Sequence, residues 1–193
     1  MVAFKMWPFF IGAKMQNWVI ISEDYLNYLR GFEPRIPHSN YGETKFKPFF
    51  GTLFEMDELV YVTQVSHPKS RHHSMRDALD FQKIYLPGGS SGAPDRLIAV
   101  VNLNYMFPLP KTMLKTLDYG DIDQYRTFPS SAEKGKYIDL LKKEISKINE
   151  LGIEKKAFRL YQLKLNYPND KVSCRCVDFK FLESKSREYN SNT

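Results

Sequence analysis

Three of the four histidines in this 193-residue chain fall within seven positions, in the run YVTQVSHPKSRHHSM, residues 61–75. An alternating apolar stretch leads into Ser66, His67, Pro68 and Lys69, then into Arg71, His72 and His73. A hydroxyl, an imidazole and an ammonium within four residues can carry several chemistries. A serine nucleophile activated by its neighbour is disfavoured by geometry. Adjacent side chains on extended backbone point to opposite faces, and no Gly-x-Ser-x-Gly elbow surrounds Ser66. A metal site would need His72 or His73 with Asp77 and Asp80, but Arg71 and Arg76 flank these groups with charge that opposes a dication. The third chemistry is metal-independent RNA cleavage. There the substrate's own 2′-hydroxyl attacks, and the protein stabilises a dianionic phosphorane while moving two protons. Lysine, hydroxyl and histidine suit that task. They also suit a solvated basic turn, and the residues alone leave both readings open.

The bulk properties narrow the partner class. A length of 193 residues suits one domain with a sizeable core. The composition, 42% hydrophobic and 26% charged, is that of a globular protein. Net charge is +6 and the pI about 9.1, which favours an acidic partner and nucleic acid above all. With 12 Tyr and 14 Phe, the chain has rings enough for both a core and base stacking. The two cysteines, in CRC at 174–176, are too few for a zinc site and too close for a useful disulfide. Such sparse usage fits a reducing cytoplasm. The apolar patch of residues 7–13 contains Pro8 and is too short to span a bilayer, so neither membrane span nor signal peptide is expected. Residues 1–14 read as an N-terminal extension with little structure, Met15 being an alternative start, and residues 15–193 as one domain.

The elements that must hold the basic run can be read from local signals. Trp18 to Ile21 suits a strand. SEDYLNYLRGF reads as a short helix, with Ser22 as N-cap, acidic residues in the first turn and Gly31 at the end. EPRIPHSNYGETK is a loop. Phe46–Met56 and Leu59–Val65 predict a hairpin turning at Asp57-Glu58, with Gly51 at a bulge or bend. After the basic run, with one helical turn expected near 75–79, FQKIYL and RLIAVVNL predict strands. The intervening PGGSSGAPD lacks a P-loop ending and reads as a flexible connector. NYMFPLP holds one more short strand. Ile138, Leu141, Ile145 and Ile148 repeat every three or four residues within 134–151 and predict an amphipathic helix. Residues 155–165 predict another, VSCRCV a closing strand, and DFKFLESKSREY a terminal helix capped by Asp178. The fold class is α+β, an antiparallel, barrel-like sheet with added helices.

Taken in order, these stretches carry a family resemblance. WVIISEDYLNYLRGF, KFKPFFGTLFEM, YVTQVSHPK followed by RHHSM, IAVVNLNYMFPLP, LKTLDYG and FLESKSREY resemble successive segments of the ToxN/AbiQ family of type III toxin–antitoxin endoribonucleases, over nearly all of residues 15–189. The resemblance implies an SH3-like barrel of the MazF and Kid type, elaborated with helices. It implies metal-independent, sequence-selective cleavage of single-stranded RNA without a cofactor, leaving 2′,3′-cyclic phosphate and 5′-hydroxyl ends. It further implies an inhibitory antitoxin RNA, a repeated transcript that the toxin cuts into pseudoknot units. Toxin and RNA would close into a ring-like assembly linked with abortive phage infection.

By the same resemblance, Ser66 matches the family loop's first hydroxyl, Lys69 its lysine and His72 its following histidine. Lys47 matches a lysine ahead of the aromatic strand, and Tyr25 a helix tyrosine near the active groove. His67 departs from the pattern, standing where a second hydroxyl is common, and is expected to share the proton transfer. The expected catalytic set is therefore Ser66, Lys69, His67 and Lys47. Tyr25, Lys45, Arg71, His72, His73, Arg76, Lys111 and Lys115 are expected RNA contacts, several from charge and position only. A non-catalytic RNA-binding protein using the same surface is the rival reading.

Overall fold

The computed structural model describes residues 15–88 and 93–191. The expected extension, 1–14, lies outside them, as does part of the Gly-rich connector. Eight strands form a branched antiparallel sheet: β1 (Asn17–Ile20), β2 (Phe49–Gly51), β3 (Glu55–Met56), β4 (Leu59–Ser66), β5 (Phe81–Leu86), β6 (Arg96–Asn102), β7 (Phe107–Pro110) and β8 (Lys115–Thr116). The main path runs β5-β6-β4-β2-β1-β8, and β3 and β7 both pair with β4. Among the described residues β5 and β8 remain unpaired edges, so the sheet is open where a closed barrel was expected.

β4 is the hub. Its first half pairs with β3 and β7, from Leu59 opposite Pro110 to Val62 opposite Phe107. Its second half changes partners, Thr63 and Gln64 facing β2 while Val65 and Ser66 face β6. A strand covered this way has no solvent face, and Leu59 to Val65 are all buried. β2 must then pass very close to it. A Cβ at Gly51 would lie 2.7 Å from Val62 Cγ1 and 3.1 Å from the Tyr61 carbonyl oxygen, so this position accepts only glycine.

The expected hairpin at Asp57-Glu58 is present, with Asp57 in the left-handed region at φ 54°. Helix α1 (Glu23–Arg30) is capped as read, the Ser22 hydroxyl accepting from the Tyr25 N–H. The helical turn in the basic run, α2 (Ser70–Ser74), starts earlier than expected and stops where Met75 takes extended backbone. Helices α3 (Ser131–Leu151) and α4 (Ile153–Asn166) are separated by Gly152 at φ 59°, a left-handed stop suited to glycine. VSCRCV is not a strand. Ser173–Arg175 form a 3-10 turn, and Ser173, Cys176 and Val177 are buried, a spacing of three and four where a strand would bury alternate residues. Both cysteines are free thiols. No helix of the described residues is long and apolar enough to cross a membrane.

Helix α5 (Phe179–Ser191) carries the expected Asp178 cap, which accepts from the Phe181 N–H at 3.0 Å. It docks through polar anchors. The buried Glu183 accepts hydrogen bonds from the Tyr61 (2.9 Å) and Tyr161 (2.7 Å) hydroxyls and pairs with Lys180 (2.8 Å). Ser186 and Tyr25 meet at 2.7 Å beside the Pro108 carbonyl. Glu183→Ala would remove the closest acceptor of two buried hydroxyls, leaving Tyr61 only the Phe179 carbonyl at 3.4 Å, so an unfolding free-energy loss of about 3 kcal/mol is expected in urea titration. A loss below about 1 kcal/mol would show that these bonds do not hold the helix.

Candidate active site

β4 ends by delivering Ser66, half-buried, and His67, exposed, to a cleft of about 600 Å³. Tyr41, Lys45, Phe46, Lys47 and Pro48 line one wall with them. Arg126 and, from α3, Tyr137, Leu140, Leu141 and Glu144 line the other. Two segments some twenty residues apart in sequence thus meet at one site, and the volume is in the range of small-molecule sites.

The 39–47 segment is held as firmly as a strand. The Asn40–Phe46 bridge closes a tight turn, in which the Tyr41 N–H donates to the Lys45 carbonyl at 2.9 Å and Lys47 donates to the Ser39 carbonyl at 2.8 Å. From below, the Gln64 side chain of β4 donates to the carbonyls of His38 (2.9 Å) and Lys47 (2.8 Å). From α1, the Glu23 carboxylate accepts from the Ser39 hydroxyl and the Ser39 and Asn40 N–H groups, and pairs with Arg30. Partial burial raises its pKa, but the Ser39, Asn40 and Arg30 contacts outweigh that and leave it below the usual value. Lys47 Nζ lies 4.9 Å over the Tyr41 ring, which orients the ammonium without neutralising it.

The opposite wall is docked by α3. Trp18 Nε1 donates to the Leu141 carbonyl at 2.9 Å, and the Tyr137 hydroxyl to the Phe46 carbonyl at 2.7 Å. Arg126 lies against Tyr137 and Phe128, its guanidinium carbon 4.3 and 5.0 Å from the ring centres. Tyr137, Leu140, Leu141 and Glu144 stand at i, i+3, i+4 and i+7, a single helix face. An apolar residue would suit the last position. Glu144 occupies it instead, 4% exposed, and burial alone pushes its carboxyl up from the ordinary 4.5 to about 8.

The basic run is organised by its one buried histidine. The Lys69 N–H donates to His72 Nδ1 at 3.0 Å, and the His72 N–H returns a bond to the Lys69 carbonyl at 2.8 Å. Burial, and then the charges of Arg71, Lys69 and His73, hold the imidazole pKa below its usual value and the ring neutral. His72 is therefore a positioning residue for Lys69, and the expectation that it contacts RNA is corrected by its burial at 4% exposure. Lys69 is exposed at the start of α2, adjacent to the cleft but outside its lining.

The other sequence-derived candidates divide. Ser66, His67, Lys45 and Lys47 share the cleft. Arg71, His73 and Arg76 are exposed around α2 and do not line it. Lys115 lies alongside, its Nζ 3.4 Å from the hydroxyl of Tyr125, whose ring stacks on Phe46. Tyr25 is a core residue with no exposed surface, its hydroxyl donating to the Pro108 carbonyl, so its expected RNA contact is corrected. Lys111 lies away from the cleft. It bonds the Glu58 carbonyl at the start of β4 and pairs with Glu55, roughly 20 Å of strand away from Ser66. The two carboxylates that a metal site would need are engaged elsewhere, Asp80 with Arg175 and Asp77 with Gln82 and the Lys83 N–H. Tyr41, Arg126, Tyr137 and Glu144 were missed. A glutamate between Leu141 and Ile148 on the apolar stripe of α3 was the one legible signal.

Glu144 makes a pH prediction with a definite sign. A carboxyl whose folded pKa exceeds its unfolded one costs nothing below about pH 4.5, and costs progressively more up to about pH 8. Glu144→Gln should therefore gain stability relative to the wild type between pH 4.5 and 8, by roughly 2–4 kcal/mol. Parallel urea titrations at the two pH values measure it, and a constant difference would refute the burial of an ionisable group here.

The molecule's relatives agree with this architecture. The sequence profile of the family described as toxin ToxN of the type III toxin–antitoxin system matches residues 17–187. Endoribonuclease ToxN of Pectobacterium atrosepticum is 26% identical over 173 residues, covering 88% of this chain and 91% of that protein. Two solved structures share the fold. A type III toxin selectively inhibited by a non-coding RNA pseudoknot superposes with a TM-score of 0.71 at 20% identity, covering 92% of this chain and 99% of that one. The lactococcal anti-phage endoribonuclease AbiQ gives 0.71 at 18% identity, with the same coverage of both chains. With the profile match spanning almost the whole described chain, the protein belongs to the ToxN family of type III toxin–antitoxin toxins.

Proposed function

We propose that this chain is an endoribonuclease toxin that cuts single-stranded RNA without a metal ion, leaving 2′,3′-cyclic phosphate and 5′-hydroxyl ends. The observation that carries the reading is the convergence of Lys45, Lys47, Ser66 and His67 on one cleft, with Lys69 at its margin. In the proposed reaction a base removes the proton from the substrate's 2′-hydroxyl, whose oxygen attacks the adjacent phosphorus. The bond to the 5′-oxygen breaks, and an acid returns a proton to that oxygen. Lys47 and Lys69 offset the charge that builds on the nonbridging oxygens, the Ser66 hydroxyl donates to one of them, and His67 shares the proton transfer.

Its inhibitor would be an RNA, as it is for the toxin of the pseudoknot complex, and the +6 net charge suits such a partner. The reading extends to a repeated antitoxin transcript that the toxin itself processes, a ring-like toxin–RNA assembly, action in the cytoplasm and a part in growth arrest or phage defence. The open sheet is read as an elaborated SH3-like barrel. A non-catalytic RNA-binding protein would use the same surface, and the two are separated by turnover.

The test is incubation of RNA-free protein with single-stranded RNA in excess EDTA, followed by analysis of the product ends. Cleavage leaving cyclic phosphates is expected, with Lys69→Ala and Lys47→Ala each slowed about 100-fold or more. Cleavage that requires added Mg²⁺ or Mn²⁺ would overturn the mechanism, and binding without cleavage would leave the rival. His67→Ala should also shift the pH–rate profile. An unchanged profile would reduce His67 to a binding residue.

A further inference from the structure

Two side chains that line the cleft carry polar atoms without a hydrogen-bond partner in the protein. The Arg126 Nε–H is buried with no hydrogen-bond acceptor. The Glu144 carboxyl, on a side chain more than nine-tenths buried, has neither hydrogen bond nor ion pair, burial being the sole influence on its proton. An unpaired buried donor is costly, and a cleft lined by Arg126 and by the unpaired Glu144 carboxyl is suited to a ligand that supplies their partners. A phosphate answers Arg126 but is repelled by a carboxylate. A neutral, planar group carrying adjacent donors and acceptors answers both.

The rings around the cleft indicate the same class of ligand. Phe46 and Tyr137 line it beside these groups, and Tyr41 stands at its mouth under Lys47. Aromatic faces with a few directed polar groups are how proteins hold an unstacked base. Resting on the RNA-cleavage reading above, we infer that Arg126 and Glu144 form the reading edge of a nucleobase subsite. The base belongs to a nucleotide flanking the cut, whose phosphate lies along Lys45, Lys47 and Ser66. The cleft is thereby divided. Its rim from 45–47 and 66–69 holds the backbone, and its α3 wall selects sequence.

Glu144 shares the lining of the cleft with Lys45 and Lys47 from the segment before β2, His67 from the end of β4, and Tyr41, Arg126 and Tyr137. Below about pH 8 the carboxyl is a donor and an acceptor side by side, and above it an acceptor only. Base preference at the subsite should therefore change as the pH crosses that value.

The experiment is cleavage of a randomised single-stranded RNA in EDTA, with sequencing of the 5′-hydroxyl ends, by wild type, Glu144→Leu, Glu144→Gln and Arg126→Gln. Wild type at pH 6.5 is expected to prefer one base at a single flanking position by about tenfold or more. Glu144→Leu and Arg126→Gln should flatten that position and leave preferences elsewhere. Glu144→Gln, an uncharged isostere, should keep the preference at both pH 6.5 and 9, whereas the wild type changes it at pH 9. The Gln variant and the pH comparison also decide the matter if Glu144→Leu does not fold. A wild-type profile in folded Glu144→Leu overturns the subsite. So does equal loss of cutting on every sequence, which would assign Glu144 to the chemistry. If the wild type itself cuts no RNA, the endoribonuclease reading fails first and the subsite with it.

Discussion

Everything in this molecule depends on β4 being buried along its length. A strand without a solvent face must satisfy its backbone groups on both sides, and here that takes four partners, β3 and β7 for one half and β2 and β6 for the other. The change of partners at Val62–Thr63 lets the sheet branch around a core containing Phe49, Phe50, Tyr61 and Phe107. It also means that Ser66, the first residue to leave this cover, cannot shift without moving the whole sheet. A site at the end of such a strand inherits its rigidity.

The second constraint is how charge is handled. Glu183 and Glu23 are carboxylates given full sets of donors, and both hold structure: one fastens α5 to β4 and α4, the other fastens the 39–47 turn to α1. Glu144 is given none. The same residue type serves as an anchor where donors surround it and as an available, proton-retaining group where they do not. The cations divide likewise. Lys111, Arg175 and Arg187 are paired with carboxylates, while Lys47 is steered by the face of a ring and keeps its charge for the cleft. A positive rim therefore shares the cleft with a wall that combines Leu140 and Leu141 with Arg126, Tyr137 and Glu144.

His72 illustrates how much of a basic run is internal bookkeeping. Its ring is turned inward against Phe81 and spends its acceptor on the Lys69 N–H, so a residue expected at the surface becomes the reason that Lys69 starts a helical turn where it does. Three histidines close in sequence are thus separated in role. His67 faces the cleft, His73 faces solvent and His72 does neither.

By itself the sequence determined the local elements and the residues with a continuous signal. The Ser22 cap, the Asp57-Glu58 hairpin, the strands at 81–86 and 96–102, the stripe of α3 and the Asp178 cap are all set by neighbours within a few positions, so they were legible without a fold. Ordered segments of the chain also carried the family. What needed the tertiary structure is everything decided by burial at long range. Tyr25 became core because Ser186 and Pro108 close over it from 161 and 83 residues away. Lys111 lies outside the cleft because it follows β7, whose Pro110 pairs with Leu59 at the end of β4 far from Ser66. Arg126, Tyr137 and Glu144 entered it because Trp18 and Phe46 hold α3 and the preceding turn across the cleft. A side chain's type is written in the chain, but whether water, a ring or another backbone becomes its neighbour is decided only when distant segments pack, and that choice sets its charge and its role.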